Sequence, residues 1–212
     1  CLEQFRPVHY GEDVMLAANL RLKFKDAGHI LGSSFVDIKH TGPGGVRRIL
    51  FSGDIGSPDR PIVRDPVQVF EVDYLVLEST YGNRRHGNGT TERERALARV
   101  ITQTAERGGV LIIPSFAVER TQELLFHLRT LEEQNAVPAL PIYLDSPMAI
   151  EATEVFEKWK NNYDMASLLL TLDGVEILKP RHLRLTRQTE ESKQLHSLTG
   201  PAIMISGSGM LE

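Results

Sequence analysis

The sequence predicts an α/β fold in which antiparallel strands give way to a parallel sheet covered by helices. Three observations predict it. Leu20, Leu22 and Phe24 alternate with Arg21, Lys23 and Lys25, the period of a half-buried strand. From about residue 90 the apolar residues recur at helical spacing instead. Between those helical stretches lie short runs, 110–113, 142–144 and 202–205, that are almost wholly apolar. Strands of that kind, alternating with helices, belong to a parallel sheet covered on both sides.

The elements follow in order. Residues 34–39 read as a strand, Thr41-Gly-Pro-Gly-Gly45 as a hairpin turn and 46–51 as the returning strand. A Pro- and Arg-containing loop covers 57–65, and 73–78 is an apolar run ending on Glu78. The change of character places a boundary near Gly82. Thr90 or Thr91 opens a helix, with Glu94 set to complete a capping box for Thr91. Ala96, Leu97, Val100, Ile101 and Ala105 continue it, and Gly108-Gly109 stops it. Ser115 precedes a second helix with Leu124, Leu125, Leu128 and Leu131 on one face. Ser146-Pro147 supplies an N-cap and first-turn proline for a third, running to about residue 160. Thr189 opens a shorter helix through Leu195.

The chain has 212 residues, 41% hydrophobic and 25% charged, so a globular core is expected. No apolar run approaches the ~20 residues of a membrane span. The single cysteine, Cys1, excludes an internal disulfide framework and fits a reducing compartment, with a cytoplasmic location as the expectation. The net charge of −4 argues against a generally basic nucleic-acid coat. Local basic candidates are Arg84-Arg85-His86 and the run holding Lys179, Arg181, His182, Arg184 and Arg187, either of which is equally a solvated face. The first residue is not Met and the last follow closely on a strand. The sequence is therefore expected to be part of a longer chain.

Chemistry-bearing residues gather at strand ends. His29 and Asp54 each follow a strand-like run and are flanked by glycines, which let backbones crowd together as a metal site at a sheet edge requires. The competing readings are a structural histidine and a turn aspartate. Glu78 closes its apolar run. It reads either as a cap of backbone amides or as the partner of a histidine beside a metal. In parallel sheets, ligands bind at the carboxyl ends of strands. Ser115, Ser146 and the run Ser206-Gly-Ser208-Gly209 stand at such ends, where backbone amides can face an anion. Simple helix capping is the alternative for each serine. Arg120 either points into the same crevice or lies on the surface.

With these residues in view, the sequence resembles the β-CASP branch of the metallo-β-lactamase superfamily, zinc-dependent nucleases acting mostly on RNA. Ala27-Gly-His29-Ile-Leu-Gly-Ser33 and Phe51-Ser-Gly-Asp54-Ile-Gly56 are similar to the third and fourth metal motifs of that fold. Leu77-Glu78-Ser-Thr-Tyr-Gly82-Asn-Arg84 resembles the first β-CASP motif. Pro114-Ser-Phe-Ala-Val-Glu-Arg120-Thr-Gln-Glu123, Pro141-Ile-Tyr-Leu-Asp-Ser-Pro-Met148 and Ser206-Gly-Ser-Gly-Met210 resemble segments of the family's cap domain. The resemblance implies part of an αββα lactamase sandwich over 1–82. An incomplete β-CASP cap, with a parallel, Rossmann-like sheet covered by helices, follows over 83–212.

By the same resemblance, His29 is a terminal zinc ligand and Asp54 a carboxylate bridging two zincs. Glu78 pairs with a histidine that acts on the leaving group, and Ser115, Arg120, Ser206, Ser208 and Gly209 contact substrate. The implied activity is hydrolysis of phosphodiester bonds in single-stranded RNA, endo- or exonucleolytic, in RNA processing or degradation, with a homodimer as a possible assembly. The His-x-His-x-Asp-His motif is expected upstream of Cys1 and two histidine-bearing motifs beyond Glu212. This chain alone is therefore expected to hold zinc weakly or not at all and to be inactive. The rival readings are a lactamase-fold hydrolase of a small ester or thioester, and a non-catalytic scaffold of an RNA-processing complex.

Overall fold

The computed structural model describes residues 2–83 and 89–208. The chain divides into two compact units, Cys1–His86 and Gly87–Glu212.

In the first unit β1 (Asp13–Ala17), β2 (Leu20–Asp26), β3 (Ser34–Gly42), β4 (Gly45–Phe51) and β5 (Tyr74–Val76) form one sheet in chain order. The first four are antiparallel and β5 joins β4 in parallel. Gly42 pairs with Gly45, so Pro43 and Gly44 alone make the turn. Alternation sets Lys23, Asp37 and Leu50 side by side on one face and Leu22, Ile38 and Ile49 on the other. Ala27, Phe35 and Leu50 form the buried core, and Ile55, Val69 and Val72, from the long β4–β5 connection, pack against it. β1 is absent from the sequence-based reading. Its Val14, Met15 and Leu16 run without alternation, and its pairing with β2 slips between Met15 and Ala17.

In the second unit β6 (Val110–Ser115), β7 (Ile142–Asp145), β8 (Leu183–Leu185) and β9 (Ala202–Gly207) form a wholly parallel sheet in the order β6-β9-β7-β8. The helices are α1 (Thr90–Glu106), α2 (Arg120–Glu133), α3 (Pro147–Lys158), α4 (Met165–Leu172) and α5 (Thr189–Leu195). Ile101 of α1, Leu125 and Leu128 of α2, and Ala149 and Ile150 of α3 bury against Ile142, Leu144, Ile203 and Ile205 of the sheet. Each fully buried Leu or Ile stabilises the fold by about 1.5–3 kcal/mol. Among the described residues no helix is long and apolar enough to cross a membrane.

One expectation needs correction, and two helices add detail to the sequence reading. The capping box at the start of α1 does not form: Gly89 is the N-cap and offers no side chain, because Glu94 is engaged by His127, 2.9 Å away. α2 does not follow Ser115 directly. It starts at Arg120 behind Glu119, whose φ of 70° makes it an unusual N-cap, boxed with Gln122. α4 was not anticipated. Its eight residues are nearly all apolar and carry no helical period. Asp164 starts it, accepting the Ser167 N–H at 2.8 Å and its hydroxyl at 2.9 Å.

Two polar groups lock this core. Gln122, fully buried, accepts the Glu119 N–H at 2.5 Å and donates to the Ala117 carbonyl at 3.1 Å and the Thr153 hydroxyl at 2.9 Å, tying α2 to α3. His127 of α2 sits between Glu94 of α1 and Glu123 of α2, the latter also paired with Arg120 and Arg93. Burial alone would lower the imidazole pKa, but the two carboxylates outweigh it and hold it above its ordinary 6.5. A folded-state pKa raised in this way adds stability that is complete below the unfolded value, about 6.5, and is lost as pH rises through the folded one. The melting temperature should therefore fall as pH is raised from 6 through that window, and His127→Gln should flatten the slope. An unchanged slope in the variant would show that the imidazole does not carry the effect.

Candidate metal centre

The first unit brings His29 and Asp54 together. β2 ends at Asp26, whose side chain accepts the Gly28 N–H at 2.9 Å, and Gly28 takes φ +62° to turn the chain. Ser33 clamps the loop that follows. Its hydroxyl oxygen accepts the His29 N–H at 3.0 Å and the Ile30 N–H at 3.2 Å. Its carbonyl accepts from the Ala27 N–H and from the Tyr10 hydroxyl. Burial raises the carboxyl of Asp26, and burial together with the nearby Asp26 pushes the Tyr10 phenol up to about 12. Both side chains brace the loop.

The Asp54 loop is built against it. Ser52, buried, takes the Val76 carbonyl through its N–H at 2.9 Å, and its hydroxyl oxygen accepts the Glu78 N–H at 2.9 Å. The Glu78 carboxylate accepts the Ile55 N–H at 2.5 Å. Gly56 donates to the Ala27 carbonyl at 2.9 Å. The two loops touch so closely that a Cβ on Gly56 would lie 1.7 Å from the Gly28 carbonyl oxygen. A Cβ on Gly28 would lie 2.6 Å from the Arg64 carbonyl oxygen. Two bare backbones are what allow His29 and Asp54 to share one edge of the sheet.

Their side chains then stand 3.9 Å apart, His29 Nε2 to Asp54 Oδ2. Zinc donors lie about 2.0–2.2 Å from the metal, so two donors on one ion are at most about 4.4 Å apart and about 3.4 Å when tetrahedral. The pair fits one ion after a sub-ångström adjustment. The Asp54 side chain is 75% exposed, leaving its carboxylate open to further ligation. Among the described residues no group of three or more His, Cys, Asp or Glu converges. These two donors are thus two of the three protein ligands that a catalytic zinc needs.

In the second unit the sheet aligns the other candidates. Ser206 of β9 pairs with Pro114 of β6 and with Asp145 of β7, and Ser115 pairs with Gly207. The Ser208 N–H is occupied by the Ser115 carbonyl at 3.0 Å. The Ser115 hydroxyl makes a long contact with the Phe116 carbonyl at 3.4 Å. The Ser206 hydroxyl is buried and makes no hydrogen bond among the described residues. Ser146 caps α3 through the Ala149 N–H at 3.3 Å. Arg120 reaches Glu123 at 3.1 Å and is half exposed. Gly209 and Arg84 lie outside the described residues. Sequence reasoning missed the supports: Tyr10, Ser33 and Ser52 work through backbone groups that no spacing reveals. Asp26 alone carried a readable sign, the Asp-x-Gly turn.

Comparison with known proteins gives the family. A Beta-Casp domain model matches residues 121–212. The chain belongs to the β-CASP family. It is 36% identical over 210 residues to "Ribonuclease TTHA0252" of Thermus thermophilus, covering 99% of this chain and 47% of that protein. An "RNase J-like protein" of Methanocaldococcus jannaschii is 34% identical over 164 residues, 76% of this chain and 37% of that protein. A "Transcription termination factor FttA" of Methanosarcina mazei is 30% identical over 210 residues, 97% and 32% respectively. The β-CASP chain thus spans less than half the length of these relatives. The mixed α/β architecture with a parallel, helix-covered sheet is the one expected for the family.

Proposed function

We propose that the protein carrying this chain is a cytoplasmic, metal-dependent ribonuclease that hydrolyses phosphodiester bonds of single-stranded RNA. The carrying observation is the 3.9 Å approach of His29 and Asp54 across two loops packed backbone to backbone. Metal dependence is general in the β-CASP family, and the imidazole–carboxylate donor pair suits zinc. Residues 1–82 are assigned to a partial lactamase domain and 83–212 to the cap. Ligands from elsewhere in the protein complete the set.

Bound zinc would lower the pKa of a water towards neutrality and offset charge on the phosphate oxygens. The chain's own residues do the rest. His29 and Asp54 would hold the metal, Asp54 with an exposed carboxylate open to a second ion. Glu78 fixes the Asp54 loop through the Ile55 N–H, which leaves its second oxygen for a histidine acting on the leaving group. Ser115 and Arg120 position phosphates without reading sequence, as do Ser206, whose buried hydroxyl has no hydrogen-bond partner among the described residues, Gly209, and Ser208 through its hydroxyl, its N–H being held by the Ser115 carbonyl.

The test is a single-turnover assay on a labelled single-stranded RNA. The protein should cut it, lose activity to a chelator and regain it with zinc. Glu78→Gln should retain zinc and lower kcat roughly 100- to 10,000-fold with KM nearly constant, as removal of a group acting in the transition state does. A Glu78→Gln protein with a lower melting temperature and normal kcat would leave Glu78 a brace of the loop only. No RNA cleavage with zinc restored, alongside turnover of a small ester, would replace the reading.

A further inference from the structure

One face of the first unit's sheet carries a ladder of cations that the chemistry at the strand ends does not use. Arg21, Lys23 and Lys25 share that face of β2. Across the sheet Arg21 pairs with Lys39 of β3, which pairs with Arg48 of β4. Lys23 lies between Asp13 of β1 and Asp37 of β3. These residues line a cleft of about 90 Å³ whose lining is entirely charged. Five cations meet two carboxylates there, a local surplus of positive charge in a chain whose net charge is −4.

The two carboxylates do not use up the cations. Asp37, almost wholly buried, takes Arg48 with both oxygens at 2.8 and 2.6 Å, and Lys25 at 3.3 Å. Burial pushes the Asp37 carboxyl up, but those two cations overcome it and hold it below the ordinary range. Lys25, Asp37 and Arg48 therefore form the floor. Asp13 is shared between Arg21 at 3.4 Å and Lys23 at 3.3 Å, with all three side chains a third or more exposed. Such pairs contribute at most about 1 kcal/mol each and exchange readily for another anion. Lys39 makes no ion pair among the described residues.

We infer that this face binds the sugar–phosphate backbone of single-stranded RNA, as a sequence-independent track leading to the candidate metal centre. The inference rests on the RNA-cleaving reading. Three features favour that ligand. Alternate residues of a strand recur every ~6.8 Å, comparable to successive phosphates of an extended strand. No apolar or aromatic side chain lines the cleft, so phosphates rather than bases are contacted. The ladder runs along β2, which leads at Asp26 straight into the loop bearing His29.

The test is a salt series of oligouridylate binding to the full-length protein, made non-cleaving by Asp54→Ala. The triple variant Arg21→Ala, Lys23→Ala, Lys39→Ala is compared with a control, Lys158→Ala, Lys160→Ala, Lys193→Ala, that loses the same charge elsewhere. Each phosphate contact contributes about 0.7 to the slope of log K against log salt, so the triple variant should lose about 2 in slope and bind at least tenfold more weakly near 0.1 M salt. The control should match the parent. Lys39→Glu alone, which breaks no ion pair among the described residues, should lose about 0.7, so the result survives misfolding of the triple variant. Equal slopes in the triple variant, Lys39→Glu and the control would overturn the inference and leave the RNA-cleaving reading standing. A parent that binds no oligouridylate would overturn both.

Discussion

If the proposed function holds, Asp54→Ala should abolish RNA cleavage by the protein carrying this chain while leaving both the fold and RNA binding nearly intact. The Asp54 side chain is 75% exposed. A substitution at such a position typically moves stability by no more than about 0.5 kcal/mol. On the proposed reading strand binding draws on cations and backbone amides, and removing a carboxylate from that edge removes a repulsion rather than an attraction. Catalysis is different. Loss of a group that merely orients a metal ligand costs about 10- to 100-fold, so loss of a carboxylate proposed as a ligand itself should exceed about 100-fold. The measurement is a single-turnover rate beside a binding isotherm on the same variant, with zinc content determined on both proteins. An Asp54→Ala protein that cuts RNA within a few-fold of the wild-type rate would remove Asp54 from the metal centre.

What could be read from the sequence was set by how local its cause is. The strand register of β2, the Pro43-Gly44 turn and the α5 bounds Thr189–Leu195 follow from residues next to each other in the chain. The parallel sheet was legible because Ile142, Leu144, Ile203 and Ile205 are buried on short, nearly all-apolar strands. α4 was not, since a run that is apolar but for Ser167 and Thr171 gives too little period to distinguish helix from strand. The capping box at Thr91 failed for a long-range reason: His127, 33 residues downstream of Glu94, competes successfully for its carboxylate. The same division applies to the site. His29 and Asp54 stood out by their flanking glycines, and the structure places them 3.9 Å apart. The reason for that distance was invisible, because it lies in a contact between Gly28 and Gly56, far apart in the chain, where Gly56 is required by the Gly28 backbone and Gly28 by the backbone of Arg64 and Pro66.

That contact yields the second large effect. Gly56→Ala should break the candidate metal centre without touching either donor. The new methyl carbon would sit 1.7 Å from the Gly28 carbonyl oxygen, 2.1 Å from its carbonyl carbon and 2.7 Å from the His29 N–H nitrogen. All three are backbone atoms, and Gly28 is itself pinned by Asp26 below and by Arg64 and Pro66 behind. Neither loop can yield alone, so the Ala27–Gly56 hydrogen bond opens and His29 moves away from Asp54. Ordinary overpacking costs about 1–3 kcal/mol, and a clash with fixed backbone belongs at or above the top of that range. The Asp54 loop should exchange its amide hydrogens faster at Ile55 and Gly56, the melting temperature should fall, and zinc binding by the protein should weaken even at temperatures where the fold survives. Gly44→Ala is the matched control, since a Cβ there meets nothing within 4 Å. It should change neither stability nor metal. If Gly56→Ala behaved like Gly44→Ala in zinc affinity and amide exchange, the close packing of the two loops would not be what sets the His29–Asp54 distance.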